Sequence, residues 1–260
     1  MLYPRIIPCL LVHNRGLVKT VRFANPKYVG DPINAVKIFN EKEVDELIVV
    51  DIDATVNHQE PDYLMIQNLA MESRMPLCYG GGIKNEDHAL KVFNLGIEKI
   101  AISSIAVEKP EIISRLAKNV GNQSVIVAMD VKKKNLTSRY EIWTHNAKKN
   151  TGKDPVEFAK RCEDEGAGEI VVNSIDRDGT MSGYDITIVD MIRNSVSLPI
   201  TILGGAGSHK DIGELIRKHG IIGASAGSLF VFKGKYKAVL INYPNSHEKE
   251  QIFKEYFVHL

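Results

Sequence analysis

A repeat narrows what this chain can fold into more than any other feature. Tyr79 to Ile83 reads YGGGI and Leu203 to Gly207 reads LGGAG, 124 residues later. Ile102-Ser103-Ser104 returns as Ala226-Gly227-Ser228 at the same offset. With a few residues of slippage for unequal loops, VIVAMDV at 125–131 aligns with IIPCLLV at 6–12, which sets Asp130 opposite Leu11. The chain reads as two similar halves, approximately 1–120 and 121–245, one with an acid at the end of its first apolar run and the other with a leucine.

Short β-rich runs alternate with longer helical segments, the pattern of a parallel sheet with crossover helices. The predicted strands are Ile6 to Val12, Glu46 to Ile52, Pro76 to Tyr79, Lys99 to Ser103, Val125 to Asp130, Glu169 to Ser174, Pro199 to Leu203 and Ile221 to Ser225. Asp31-Pro32 and Asp154-Pro155 each place an N-cap before a proline at the first helical position, where no N–H is missed. Lys84 to Leu95, Pro110 to Asn119, Ile186 to Asn194 and Ser208 to His219 also read as helices, and Asn242 to Leu260 suits a final one. Eight units in 260 residues fit a single (βα)8 TIM barrel with a twofold half-barrel repeat. A doubly wound open sheet is the alternative, but it wants a Gly-rich turn after its first strand, and Cys9 to Lys19 holds only Gly16.

Charge and cysteine content exclude several functions. With 33 basic and 32 acidic residues and a net charge of +1, nothing favours nucleic acid or a membrane surface as partner. No apolar run reaches the roughly 18 residues of a membrane helix, and the first residues do not read as a signal peptide. Cys9, Cys78 and Cys162 are odd in number and far apart, which suits free buried thiols in a reducing, cytoplasmic setting. No histidine pair has metal-ligand spacing, so neither a metal nor a cofactor is expected.

A barrel keeps its chemistry at the C-terminal ends of its strands. There, Gly80-Gly81-Gly82 with Ser103-Ser104 forms one set, and Gly204-Gly205-Ala206-Gly207 with Gly227-Ser228 forms a second. Glycines let backbone N–H groups approach an anion, so the two sets together point to a ligand phosphorylated at both ends; tight barrel turns would also need them. Between them lie Asp51, Asp53, Asp130, Asp176 and Asp178. Asp130 ends a buried strand, so it either has a partner or works as an acid or base. Asp178-Gly179-Thr180 is equally a turn signal. Among the histidines only His13 falls near a strand end. The connections Val12 to Gly30 and Lys132 to Lys153 are long; the second contains RYEIWTH, which alternates like a stiffened hairpin, and Lys19 in the first could reach over the mouth.

RIIPCL, GDP at 30–32, DELIVVDI, GGGI, KNTG, GAGEI, SIDRDGTMSGYD and GGAG together resemble the cyclase subunit of imidazole glycerol phosphate synthase over the whole chain. The resemblance implies a twofold barrel that takes ammonia from a glutaminase docked on its N-terminal face. The ammonia would react at the opposite face with a bisphosphorylated aminoimidazole-carboxamide compound. Of the family's two catalytic aspartates, Asp130 matches one, whereas Leu11 stands at the other. Asp178, Gly179, Gly205, Ser104, Ser228 and Lys19 match ligand-site positions; Gly81, Gly82, Ser103 and Gly227 fall in the same cradles. Leu203 stands for a serine, Asn173 for a threonine and Ser103 for an asparagine. Arg5, Glu46, Lys99 and Glu169 match a ring of alternating charge at the ammonia entrance.

With one proton-handling residue absent, the leading expectation is a paralogue that delivers ammonia to a separate sugar amidotransferase, turning an acetamido group into acetamidino. The alternatives are a genuine cyclase of histidine biosynthesis and a non-catalytic activator of the glutaminase.

Overall fold

The computed structural model describes residues 3–134 and 139–256. Its eight parallel strands are β1 (Arg5–His13), β2 (Leu47–Asp51), β3 (Leu77–Gly80), β4 (Lys99–Ile102), β5 (Val125–Lys133), β6 (Glu169–Ser174), β7 (Ile200–Leu203) and β8 (Gly223–Ala226). Each pairs with its sequence neighbours, β5 with β6 across the half boundary and β8 with β1 across the seam, so the sheet closes. The open-sheet alternative is thereby excluded, and the fold is a (βα)8 TIM barrel.

The outer layer is α1 (Pro32–Glu41), α2 (Tyr63–Glu72), α3 (Glu86–Asn94), α4 (Glu111–Val120), α5 (Pro155–Asp164), α6 (Ile186–Arg193), α7 (His209–His219) and α8 (Ser246–Tyr256). Asp31 accepts from the Asn34 N–H, and Asp154 from those of Val156 and Glu157, so both Asp-Pro starts act as read. Helix α2 lacks such a mark in the sequence; Asp62 caps it, and Met65, Ile66 and Leu69 bury its apolar side. Two short helical turns, Ser104–Glu108 and Ser228–Val231, repeat at the 124-residue offset after β4 and β8.

Alternation along the strands divides the apolar residues between two cores. One lies between barrel and helices; the other fills the lumen with Ile7, Cys9, Ile48, Cys78, Ala101, Ile126 and Val171, backed by Leu11, Val50, Ala128 and Leu203. Cys9 and Cys78 face the lumen and Cys162 lies on the buried side of α5; all three are free and buried. Burial pushes the Cys9 thiol up to about 11 and that of Cys162 to about 12.

The first long connection is not a loop. It forms an antiparallel hairpin, Gly16–Val21 with Ala24–Gly30, which continues from β1 through the pair Leu11–Val18. The second, at Tyr140–Thr144 and Lys149–Asn150, continues from β5 through Asp130–Trp143, as the alternation suggested. Residues 135–138, within that connection, lie outside the described residues. The tail returns to the first strand, where the Tyr243 hydroxyl donates to the Ile6 carbonyl at 2.8 Å. Among the described residues no helix is long and apolar enough to cross a membrane.

Candidate functional site

At the N-terminal end of the lumen, Arg5 ion-pairs with Glu46 and with Glu169 at 2.6 Å, while Lys99 lies 2.8 Å from Glu46 and 3.6 Å from Glu169. The four residues that the resemblance sets in a ring are joined by a closed circuit of ion pairs. Glu46 and Glu169 are 3% and 5% exposed, so each depends on the cations beside it. Burial would lift the Glu169 carboxyl, but Arg5 and Lys99 outweigh it and hold the group below its ordinary value. For Arg5, burial opposes the charge while Glu169 and Glu46 stabilise it, with a net upward shift.

The opposite end opens into a cavity of about 500 Å³. Both glycine and serine sets reach it through Gly81, Gly82, Ser103, Ser104, Gly205, Gly227 and Ser228, and Lys19, Asp130, Asp178 and Gly179 line it too. Every residue read as catalytic or ligand-binding is therefore brought to one cavity. At Gly81, φ is +118° and an added Cβ would fall 2.3 Å from the Asp51 carbonyl; at Gly205, φ is +114° and a Cβ would fall 2.2 Å from the Gly183 carbonyl. Only glycine fits these approaches.

Asp130 is the most perturbed acid in the cavity. Burial raises its pKa to about 7, the Asp178 charge adds to the rise, and a hydrogen bond from Asn173 Nδ2 to Asp130 Oδ1 at 2.9 Å opposes it. A carboxyl poised there can take or give a proton near neutrality. Leu11 lines the same cavity and carries no such group.

The remaining carboxylates separate. Asp178 accepts from the Thr20 hydroxyl at 2.7 Å and the Phe23 N–H at 3.2 Å, latching the first hairpin to the loop after β6. The turn at Gly179 tightens that contact: φ is +67° and a Cβ would sit 2.1 Å from the Thr20 carbonyl. The stretch is thus a turn whose Asp178 and Gly179 also line the cavity. Lys19, 6% exposed, donates to the Cys9 carbonyl at 3.1 Å and lies against Gly227. Asp51 lines the cavity but accepts the N–H groups of Asp53 and Ala54; burial raises its pKa. Asp53 pairs with His13 Nδ1 at 2.7 Å, and Asp176 accepts the Lys133 N–H, both away from the cavity lining.

Histidine placement is corrected. His13, at a strand end, is turned into its pair with Asp53, whereas His58 and His145 reach the cavity. His145 and its neighbour Asn146 arrive on the second hairpin, where Asn146 Nδ2 donates to the Ile52 carbonyl at 2.7 Å. Each hairpin therefore crosses to the other half. No spacing in the sequence signalled His58 or His145; only the folding back of their loops does.

The model of the family described as histidine biosynthesis protein matches residues 5–237. This chain belongs to that family. Within it the protein is HisF-like. It is 56% identical over 253 residues, 97% of the chain and 100% of the relative, to the Leptospira interrogans protein named "Putative imidazole glycerol phosphate synthase subunit HisF". It is 49% identical over 245 residues, 94% of the chain and 97% of the relative, to a protein of Pseudomonas aeruginosa given the same name but numbered hisF2. It is also 39% identical over 230 residues, 88% of the chain and 89% of the relative, to "Imidazole glycerol phosphate synthase subunit HisF" of Lactococcus lactis subsp. cremoris. The HisF-like barrel thus has its relatives' length, with both ends of its lumen furnished by charged or polar side chains.

Proposed function

We propose that this HisF-like subunit receives ammonia from a glutaminase docked on the N-terminal face and passes it through the lumen. The ammonia then serves a separate sugar amidotransferase that converts an acetamido into an acetamidino group, rather than an imidazole ring closure. The observation that carries this reading is the pairing of an intact charged ring at one end with a mouth at the other where Leu11 and Asp130 line the same cavity. A leucine can neither give nor accept a proton, and loss of a general acid or base typically costs about 100-fold to 10,000-fold in rate. The free buried cysteines favour a cytoplasmic setting.

A second reading, a genuine imidazole glycerol phosphate synthase cyclase, is favoured by the two glycine and serine cradles opening on one cavity with Lys19 and Asp178. Turnover of the bisphosphorylated histidine intermediate with excess ammonium salt decides between them. The unaltered chain should be slow, and Leu11→Asp should be faster by about 100-fold to 10,000-fold. Robust turnover without the substitution would establish the cyclase instead. A glutaminase complex that passes no ammonia to an acceptor enzyme would remove the first reading.

A further inference from the structure

Two connections beside the mouth carry charge of a single sign. Residues 14–30, which include the first hairpin, contain Arg15, Lys19, Arg22 and Lys27 and no Asp or Glu; residues 221–247 contain Lys233, Lys235 and Lys237 and again no Asp or Glu. In a chain with 33 basic and 32 acidic residues this imbalance is local. The second stretch leaves the Ser228–Val231 turn at the C-terminal end of β8, and there Phe232–Lys233 pairs with Ala238–Val239 in a third, smaller hairpin. Lys27 joins the first hairpin to the third: its Nζ donates to the Lys237 carbonyl at 3.3 Å and stands 5.0 Å from the centre of the Phe232 ring.

Three of these cations are committed elsewhere, Arg15 to Asp62, Lys19 to the Cys9 carbonyl and Arg22 to the Asp176 carbonyl. Among the described residues, Lys27, Lys233, Lys235 and Lys237 make no ion pair with a carboxylate. The second hairpin differs, since Lys134 meets Glu141 at 2.9 Å and Lys149 meets Glu108 at 3.1 Å. Apolar surface accompanies the unpaired lysines. Tyr28 is 66% and Tyr236 83% exposed, Val21, Val239 and Leu240 are exposed too, and Lys235 Nζ stands 4.8 Å from the centre of the Tyr236 ring. Exposed lysines alone need no partner, but large apolar side chains gathered among them mark a contact surface.

We propose that the first and third hairpins form the docking surface for a protein with an acidic contact face, the acceptor that takes ammonia at the mouth. This rests on the ammonia-delivery reading above. Ammonia leaving an uncovered mouth would be diluted and protonated in bulk water, so its acceptor has to sit on the rim, and the glutaminase occupies the opposite face. A polyanion would satisfy the lysines but offers nothing to Val21, Val239 and Leu240; a protein contact with an apolar centre and a charged rim satisfies both. The lysines steer the approach, and Tyr28 and Tyr236 supply the anchoring surface.

The test compares the full chain, bound to its glutaminase, with Lys233→Glu/Lys235→Glu/Lys237→Glu and with Tyr236→Ser. Toward the sugar amidotransferase, the triple variant should associate about 10-fold to 1,000-fold more slowly at low salt and lose most of its salt dependence. Tyr236→Ser should mainly speed dissociation, by on the order of 10-fold. Glutaminase activation from the far face should be unchanged in both, which shows that the barrel is folded. An amidotransferase that binds the triple variant as it binds the parent overturns the docking surface and leaves ammonia delivery standing. A glutamate–tyrosine copolymer gives a probe independent of that delivery, and it should bind the parent and not the triple variant. If the copolymer binds there but the amidotransferase does not bind the parent, the acidic-protein surface stands, and its assignment to the acceptor falls with the delivery reading. Binding of neither overturns both. Tighter binding at the same lysines by an oligonucleotide of equal charge, or by phosphatidylglycerol vesicles, overturns the choice of a protein partner.

Discussion

The two half-barrels agree at one end of the lumen and part at the other. At the N-terminal end, β2 is preceded by Glu46 and β6 begins with Glu169, and both carboxylates meet Arg5 and Lys99. At the mouth, the first half presents Leu11 beside Val50 and the second presents Asp130 bonded to Asn173. The backbone keeps the repeat at the hairpin that extends the first strand of each half. Symmetry in a repeated barrel therefore governs where side chains point, while the chemistry at each point is set residue by residue.

The comparison breaks most severely at the charged ring. Glu46→Gln and Glu169→Gln should each leave Arg5 and Lys99 short of a buried counter-charge and lower unfolding free energy by about 3–5 kcal/mol, read by denaturant titration. Comparable losses would show that the halves are energetically equal there; a loss confined to one would show that the ring's symmetry is geometric only.

At the mouth the halves should differ in pH dependence. With the folded Asp130 pKa at about 7 and an unfolded value near 4, the folded protein binds more protons between these values. Stability tied to this group is therefore fullest at low pH and declines as pH rises through about 7. Asp130→Asn should match the parent at about pH 4 and exceed it by on the order of 2–4 kcal/mol at about pH 8. Leu11→Asn should show no such pH-dependent gain. Calorimetric melting at the two pH values checks both.

The smallest effect concerns the latches. Thr20→Val removes one bond that holds the first hairpin to Asp178, and Asn146→Ala removes the bond from the second hairpin to the Ile52 carbonyl. Each should loosen only its own hairpin, by about 1 kcal/mol in hydrogen-exchange protection. Loosening of both by either change would mean that the two crossings act as one clasp.

Legibility followed sequence distance and strand register. The glycine runs and Asp130 stand at or next to strand ends, so counting units was enough to place them, whereas the four ring residues were placed only by the family resemblance. The Asn173–Asp130 bond depends on β5 and β6 lying side by side in a particular register, which no local pattern states. The first hairpin is not legible in the sequence because its second strand, ANPKYVG, contains a proline and is largely exposed, so the apolar alternation that marks a strand is missing. His13 misled for the converse reason: proximity to a strand end does not fix direction, and Asp53 draws its ring aside.

The bond from Tyr243 to Ile6 spans 237 residues, and that from Ser225 to the Ile7 carbonyl spans 218. During translation β1 leaves the ribosome well before its partner β8 and the tyrosine that fastens the seam. Until then one flank of β1 is an open row of amides and carbonyls, ready to pair with another nascent chain. The symmetry that makes two halves so alike also makes each a plausible wrong partner for a neighbour's half. Closure at the seam is thus a safeguard on assembly that acts only once the strands of both halves have been made.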